Sequence, residues 1–121
     1  MYESGENYLE TILVLSQQKG NVRSIDIARE LNFSKPSVSR AMGLLKDSGY
    51  LEVDENGSIL LTKLGREKAG SIYERHQLLT KFIVKTAGVS DEIAERDACK
   101  MEHIICEEVF LGIKKFMKEN E

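Results

Sequence analysis

The chain has 121 residues, with Lys+Arg 17 against Asp+Glu 20, a formal net charge of −3, 41% apolar and 31% charged side chains. That length suits one compact unit, or a small module with a helical accessory region, and excludes a second full domain of roughly 100–150 residues; the composition excludes a disordered chain. No tract approaches the roughly 18 consecutive apolar residues of a bilayer span, and "MYESGENYLE" lacks a basic start followed by an apolar core, so a cytoplasmic protein with no membrane partner is predicted.

From Ser4 to about Gln18, the apolar residues Tyr8, Leu9, Ile12, Leu13 and Leu15 recur at helical spacing, and Gly20 follows as a stop. Ser24 then precedes "IDIARELN" as a cap, with Asp26 in the first turn and Ile25, Ala28 and Leu31 on one stripe. This short helix is expected to end near Asn32. After "NFS", Ser34 caps a third helix, "KPSVSRAMGLLKDSGYL", whose first turn holds the only proline, Pro36, where a missing N–H does no harm. Val38, Met42 and Leu45 form its buried stripe and Gly49 its end.

"YLEVDENGSILLT" reads as two strands around Asn56-Gly57, a tight-hairpin signal because both residues tolerate positive φ. One long helix follows over "KLGREKAGSIYERHQLLTKFIVKTA", through the glycines Gly65 and Gly70. From Ser90, a cap, "DEIAERDACKMEHIICEEVFLGIKKFMKEN" runs as helix with a split near Glu107 or Gly112. The fold class expected is mainly α, an N-terminal winged helix-turn-helix over residues 1–63 and a helical region over 64–121.

Charge is uneven along this layout. Residues 21–50 hold five basic groups against three acidic, net +2, whereas residues 89–121 hold five against nine, net −4. An anion-seeking middle and a cation-seeking end fit that asymmetry, as do two solvated faces.

Two short helices joined by a tight turn and followed by a hairpin are the pattern of a winged helix-turn-helix, whose second helix presents its first turns to the DNA major groove. Here those turns carry Ser34, Lys35, Pro36, Ser37, Ser39 and Arg40. Hydroxyls and helix-start N–H groups hold phosphates, Lys35 adds charge, and Arg40 reaches a guanine edge. The plainer alternative is a small helical core whose serines are caps. Asp54 and Glu55 make the hairpin tip acidic, so it should touch DNA weakly if at all.

Near the other end, Cys99, Glu102, His103 and Cys106 fall at i, i+3, i+4 and i+7, one face of the expected helix. Two cysteines seven residues apart on one helix are about 10 Å apart, too far for a mutual disulfide, and are read as thiols in a reducing compartment. Sulfur, oxygen and nitrogen donors on one stripe are metal ligands by type; a core thiol beside exposed Glu102 and His103 is the alternative. The second histidine of the chain, His76, lies among Leu78, Leu79 and Phe82, where an imidazole needs a polar partner. Both histidines on long helices suggest a shared polar site. An enzyme with Cys99 as nucleophile and His103 as base is rejected, because same-helix neighbours offer no third orienting group, oxyanion hole or glycine-rich substrate loop.

"ENYLETI", "SKPSVSRAMGLLKDSGYL", "RHQLLTKF" and "DACKMEH", in this order and spacing, resemble the DtxR/MntR family of iron- and manganese-dependent repressors over nearly the whole chain. The resemblance implies a homodimer on double-stranded operator DNA, with the DNA-binding module followed by a helical metal-binding and dimerisation domain. It implies one metal held by Cys99, Glu102 and His103 with Asn7 from the first helix, and places Glu10 and His76 at further ligand positions, so that a two-metal cluster is open. Thr80 and Glu95 fall near ancillary positions. Asn7 departs from the family's aspartate or methionine. Iron(II) is favoured because thiolate with imidazole suits it, with manganese(II) the alternative to which Glu10 points. A short member, without the C-terminal SH3-like domain of longer iron-branch proteins, is expected. A winged-helix regulator answering an organic ligand or thiol oxidation is the rival reading. Dimer contacts are expected from Ile93, Ile104, Ile105, Val109 and Phe110, side chains equally able to fill the protomer's own core.

Overall fold

The computed structural model describes residues 3–121. Its elements run α1 (Glu3–Lys19), α2 (Ser24–Leu31), α3 (Lys35–Asp47), β1 (Leu51–Val53), β2 (Ile59–Leu61), α4 (Lys63–Ala87), α5 (Asp91–Ile104) and α6 (Glu107–Glu119). The fold is mainly helical, with one two-stranded antiparallel wing. The chain divides into two compact units, the first through Gly70 and the second from Ser71 to Glu121. Among the described residues no helix is long and apolar enough to cross a membrane.

In the first unit, the periodic apolar residues of α1, Tyr8, Leu9, Ile12 and Leu15, are buried with Val22, Ile27, Val38, Met42, Leu45, Leu51 and Ile59. Burial of each large apolar side chain contributes roughly 1.5–3 kcal/mol. Gly20, at φ 86, stops α1 as expected. The cap of α2 differs from expectation. Arg23 is the N-cap and Ser24 the first helical residue; the Asp26 carboxylate accepts from the Arg23 backbone N–H at 2.9 Å. A carboxylate reaches back over a turn to an otherwise unsatisfied donor, which a serine hydroxyl at position 24 is not placed to do. Asn32 ends the helix in the left-handed conformation (φ 56, ψ 45), which an amide side chain tolerates better than most residues.

α3 is capped by Ser34, whose hydroxyl accepts from the Ser37 N–H at 3.3 Å, and Pro36 sits in its first turn. Val38, Met42 and Leu45 are its buried stripe. The wing pairs Leu51 with Leu61 and Val53 with Ile59, and the Ile59 N–H donates to the Val22 carbonyl at 2.7 Å, tying the wing to the loop before α2. Its turn is not the two-residue form expected. Gly57 alone has positive φ there, and the Asp54 carboxylate accepts from the N–H groups of Asn56 (2.8 Å) and Ser58 (2.9 Å). A side-chain turn centred on Asp54 replaces the second positive-φ residue. The Thr62 hydroxyl starts α4 by accepting from the Gly65 N–H at 3.1 Å while donating to the Gly49 carbonyl at 2.6 Å.

The second unit joins the later turns of α4 to α5 and α6. Ile72, Leu79, Ala94, Ala98 and Phe110 are buried, and Phe82 packs edge-on to Phe116 with centroids 5.9 Å apart. Ser90 caps α5, accepting from the Ile93 N–H at 3.3 Å. The split expected near Glu107 occurs: α5 ends at Ile104, Ile105 is extended (φ −74, ψ 143), and Cys106 is the N-cap of α6. Glu107 and Glu108 occupy the first turn of α6, where the helix dipole favours negative charge.

Candidate functional site

The outer face of α3 carries the first of two sets of candidate functional side chains. Ser34, Lys35, Pro36, Ser37, Ser39 and Arg40 are all exposed, while Val38 between them is buried. That alternation follows from helix geometry. Anchoring α3 through Val38, Met42 and Leu45 turns the opposite face, with its hydroxyls and two cations, toward solvent. Ser34 also donates its hydroxyl hydrogen to Ser37 Oγ at 2.8 Å, so these two side chains organise the helix start, whose N–H groups suit a phosphate. Phe33, 46% exposed just before the cap, stacks edge-on to Tyr8 with centroids 6.0 Å apart, holding the turn to α1.

The second set lies in the second unit. Glu102 and His103 occupy the last turn of α5, and His76 the middle of α4. The Glu102 side chain is 0% exposed and its Oε2 lies 2.9 Å from His76 Nδ1. His103, its side chain 2% exposed, puts Nε2 at 3.2 Å from Glu102 Oε1. That approach forms no hydrogen bond, and Oε1 is buried without a hydrogen-bond partner among the described residues. His76 Nε2 lies 3.3 Å from Glu95 Oε1 on α5, and the Thr80 hydroxyl donates to the His76 carbonyl at 2.8 Å.

A wholly buried carboxylate is costly unless its charge is compensated and its lone pairs are used. With each carboxylate oxygen facing one imidazole, and Oε1 without a hydrogen bond among the described residues, this cluster has the composition that a divalent transition-metal ion satisfies: carboxylate oxygen and imidazole nitrogen, withdrawn from solvent. The donors present therefore fit a metal.

Of the residues expected at the metal, the second unit brings His76, Glu102 and His103 together, with Glu95 at their edge. Cys99 lies on α5 and is exposed. Asn7 and Glu10 belong to α1 of the first unit, where Asn7 is half-buried, its carbonyl accepting from the Thr11 hydroxyl at 2.8 Å, and Glu10 is 9% exposed. The four-residue stripe expected on one helix is three: Cys106 falls beyond the end of α5, because Ile105 leaves the helical conformation. Two cysteines expected on one helix thus lie in different segments.

Arg75 is the residue that the sequence did not single out. Its guanidinium donates to the carbonyls of Glu102 (3.2 Å) and Ile105 (2.9 Å) and pairs with Glu107 (2.7 Å). No local spacing signals a partner 27 to 32 residues away; the only hint was its place directly before His76.

Comparison with known proteins covers both units. Residues 1–59 match the family model described as "Iron dependent repressor, N-terminal DNA binding domain", and residues 62–121 the one described as "Iron dependent repressor, metal binding and dimerisation domain". An uncharacterised helix-turn-helix transcriptional regulator of Methanocaldococcus jannaschii is 30% identical over 120 residues, covering 98% of this chain and 96% of its own. The transcriptional regulator MntR of Escherichia coli O6:H1 is 34% identical over 115 residues, covering 95% of this chain and 74% of its own. Among solved structures, that of the manganese regulator SloR superposes with a TM-score of 0.83 at 26% identity, covering 94% of this chain and 53% of that one. The chain thus spans about half the length of that structure. On the two consecutive matches, the helix order with its wing and a donor set fit for a divalent ion, the chain belongs to the DtxR/MntR family of metal-dependent transcriptional regulators, DNA-binding proteins rather than enzymes.

Proposed function

We propose that the chain is a transcriptional repressor that binds palindromic operator DNA as a homodimer when a divalent metal, iron(II) in preference and manganese(II) as the alternative, is bound. The observation that carries this reading is the buried Glu102 carboxylate, 2.9 Å from His76 and 3.2 Å from His103, with an oxygen lacking a hydrogen-bond donor among the described residues. A bound divalent ion would place positive charge beside this buried carboxylate.

The proposed ligands are His76, Cys99, Glu102 and His103, with Asn7 and Glu10 carried over from the family resemblance. Cys99 tips the set toward iron(II), since thiolate with imidazole is softer than the oxygen-rich sets manganese(II) takes. Metal affinity and operator affinity are then mutually dependent. Ser34, Lys35, Ser37 and Ser39 meet phosphates with the helix start that Pro36 shapes, and Arg40 meets a base edge. Half-sites lie a whole number of helical turns apart. Exposed Ile93, Ile104, Val109, Leu111 and Phe116 supply apolar area for a second copy, whereas Phe110 is buried in its own unit. Such a regulator works in the cytoplasm.

The test is operator binding titrated in turn with iron(II), manganese(II) and zinc(II), comparing the intact protein with Glu102→Gln and His103→Ala. Each substitution is expected to remove metal-dependent binding while leaving a folded protein, and Cys99→Ser to shift preference toward manganese(II). Metal-dependent affinity unchanged in both Glu102→Gln and His103→Ala sinks the ligand assignment. Operator binding indifferent to chelator favours instead a regulator that senses an organic ligand or thiol oxidation.

A further inference from the structure

The end of α5 poses a physical problem. The last carbonyls of a helix have no partner within it, and this helix ends without the glycine or asparagine that closes a helix by a left-handed turn. Ile105 goes extended at once and α6 starts two residues later. Glu102 and His103 sit in that last turn, where helices fray most readily. The corner is held from outside, by Arg75 of α4.

Arg75 Nη1 donates to the carbonyls of Glu102 at 3.2 Å and Ile105 at 2.9 Å, and Nη2 reaches the Glu107 carboxylate at 2.7 Å. The guanidinium lies over the Phe110 ring, 4.9 Å from its centroid, and the side chain is only 15% exposed. One planar fork thus joins the end of α5, the connection and the first turn of α6. It also places positive charge at the negative end of the α5 dipole. His76, the next residue, has Nδ1 at 2.9 Å from Glu102 Oε2. Two consecutive side chains of α4 therefore grip the same glutamate, one by its backbone carbonyl and the other by its carboxylate.

We infer that Arg75 is a positioning residue for the metal centre: it fixes the backbone of Glu102 and His103 so that both side chains are aimed before any ion arrives. The inference rests on the reading of His76, Glu102 and His103 as ligands. Without the fork the last turn of α5 loosens, and the two side chains must be ordered at the moment of metal binding, which weakens binding and alters coordination. Lysine does not replace it, since an ammonium is a point donor that cannot hold two carbonyls and a carboxylate in one plane. The Glu107 arm matters least, because that carboxylate is 68% exposed and its ion pair is screened.

The experiment uses the full chain and cobalt(II) as the probe, reading affinity by calorimetry, coordination by the visible absorption bands, and stability by thermal melting of the metal-free protein. Arg75→Lys and Arg75→Met are expected to bind cobalt(II) about 10–100-fold more weakly, with changed bands, and Glu107→Gln to stay within about twofold of the parent. If Arg75→Met does not fold, Arg75→Lys alone decides the matter. A lysine variant that melts lower yet keeps the parent's cobalt affinity and bands reduces Arg75 to a structural prop and overturns the inference. A parent protein that takes up no cobalt(II) overturns the ligand reading itself, and this one with it, whereas unchanged binding in the lysine variant overturns only the role of Arg75.

Discussion

Asp26 illustrates what one carboxylate contributes in this fold. The Lys19 ammonium bonded to its side chain at 2.6 Å, and after it the Arg23 backbone N–H, hold its pKa below the ordinary carboxylate value. A carboxylate with a depressed folded-state pKa stabilises the native state at pH above its unfolded value of about 3.9. That stabilisation is lost as pH falls below 3.9 and through the folded value. Asp26→Asn is therefore expected to be less stable than the parent at neutral pH, with the gap constant above about pH 5 and closing below pH 4. Urea denaturation of both proteins across pH 3–7 checks this. A gap that widens on acidification contradicts it.

At the scale of elements, the join between the wing and α4 depends on a glycine. A Cβ on Gly65 would lie 1.9 Å from the Tyr50 carbonyl oxygen, a backbone atom that cannot swing aside. Alanine in a helix interior ordinarily gains about 0.5–1 kcal/mol over glycine; here the clash should outweigh it, so Gly65→Ala is expected to lower stability by about 1–3 kcal/mol, measurable by chemical denaturation. The proposed recognition helix, α3, makes a different prediction, because its outer face does not hold the core. Arg40→Ala should leave the melting temperature within a degree or two of the parent, since exposed substitutions seldom exceed ~0.5 kcal/mol. It should weaken operator binding by about 1–3 kcal/mol and relax preference at one base pair of each half-site, if Arg40 reads a base. Electrophoretic titration against a panel of singly changed operators separates that from a phosphate contact, which would weaken all operators alike.

For the whole molecule, the governing relation is reciprocity. If metal raises operator affinity by a factor, operator must raise metal affinity by the same factor, whatever the route of coupling. A coupling of roughly 1–3 kcal/mol corresponds to about 5–150-fold. Metal affinity measured calorimetrically with and without operator should therefore shift by the factor by which metal shifts operator affinity. An operator that binds metal-loaded and chelated protein equally would show no such shift and would remove metal from the regulatory account.

Much of this architecture is written locally and is legible in the sequence. Tyr8, Leu9, Ile12 and Leu15 repeat at helical spacing, Ser34 with Pro36 starts α3, and Gly20 and Gly49 stop their helices with positive φ. Such signals depend only on near neighbours in the chain. The departures from expectation are local too, but turn on competition: Asp26 displaces Ser24 as the capping group, and Asp54 remakes the hairpin turn, because a carboxylate two to four residues from a bare N–H is the better acceptor. The end of α5 was half legible, since two glutamates after Cys106 mark a helix start, yet no proline or glycine marks the break.

Residue types alone made Glu102 and His103 candidate ligands, and the order of elements alone made α3 the candidate reading helix. Only the tertiary structure decided that Glu102 faces His76 across 26 residues of sequence, that Cys99 is exposed, and that Arg75 closes the helix bearing Glu102 and His103. The reason is geometric. Periodicity states which face of a helix a side chain occupies, whereas the neighbour it meets there depends on how separate helices are rotated and packed, which no local spacing encodes.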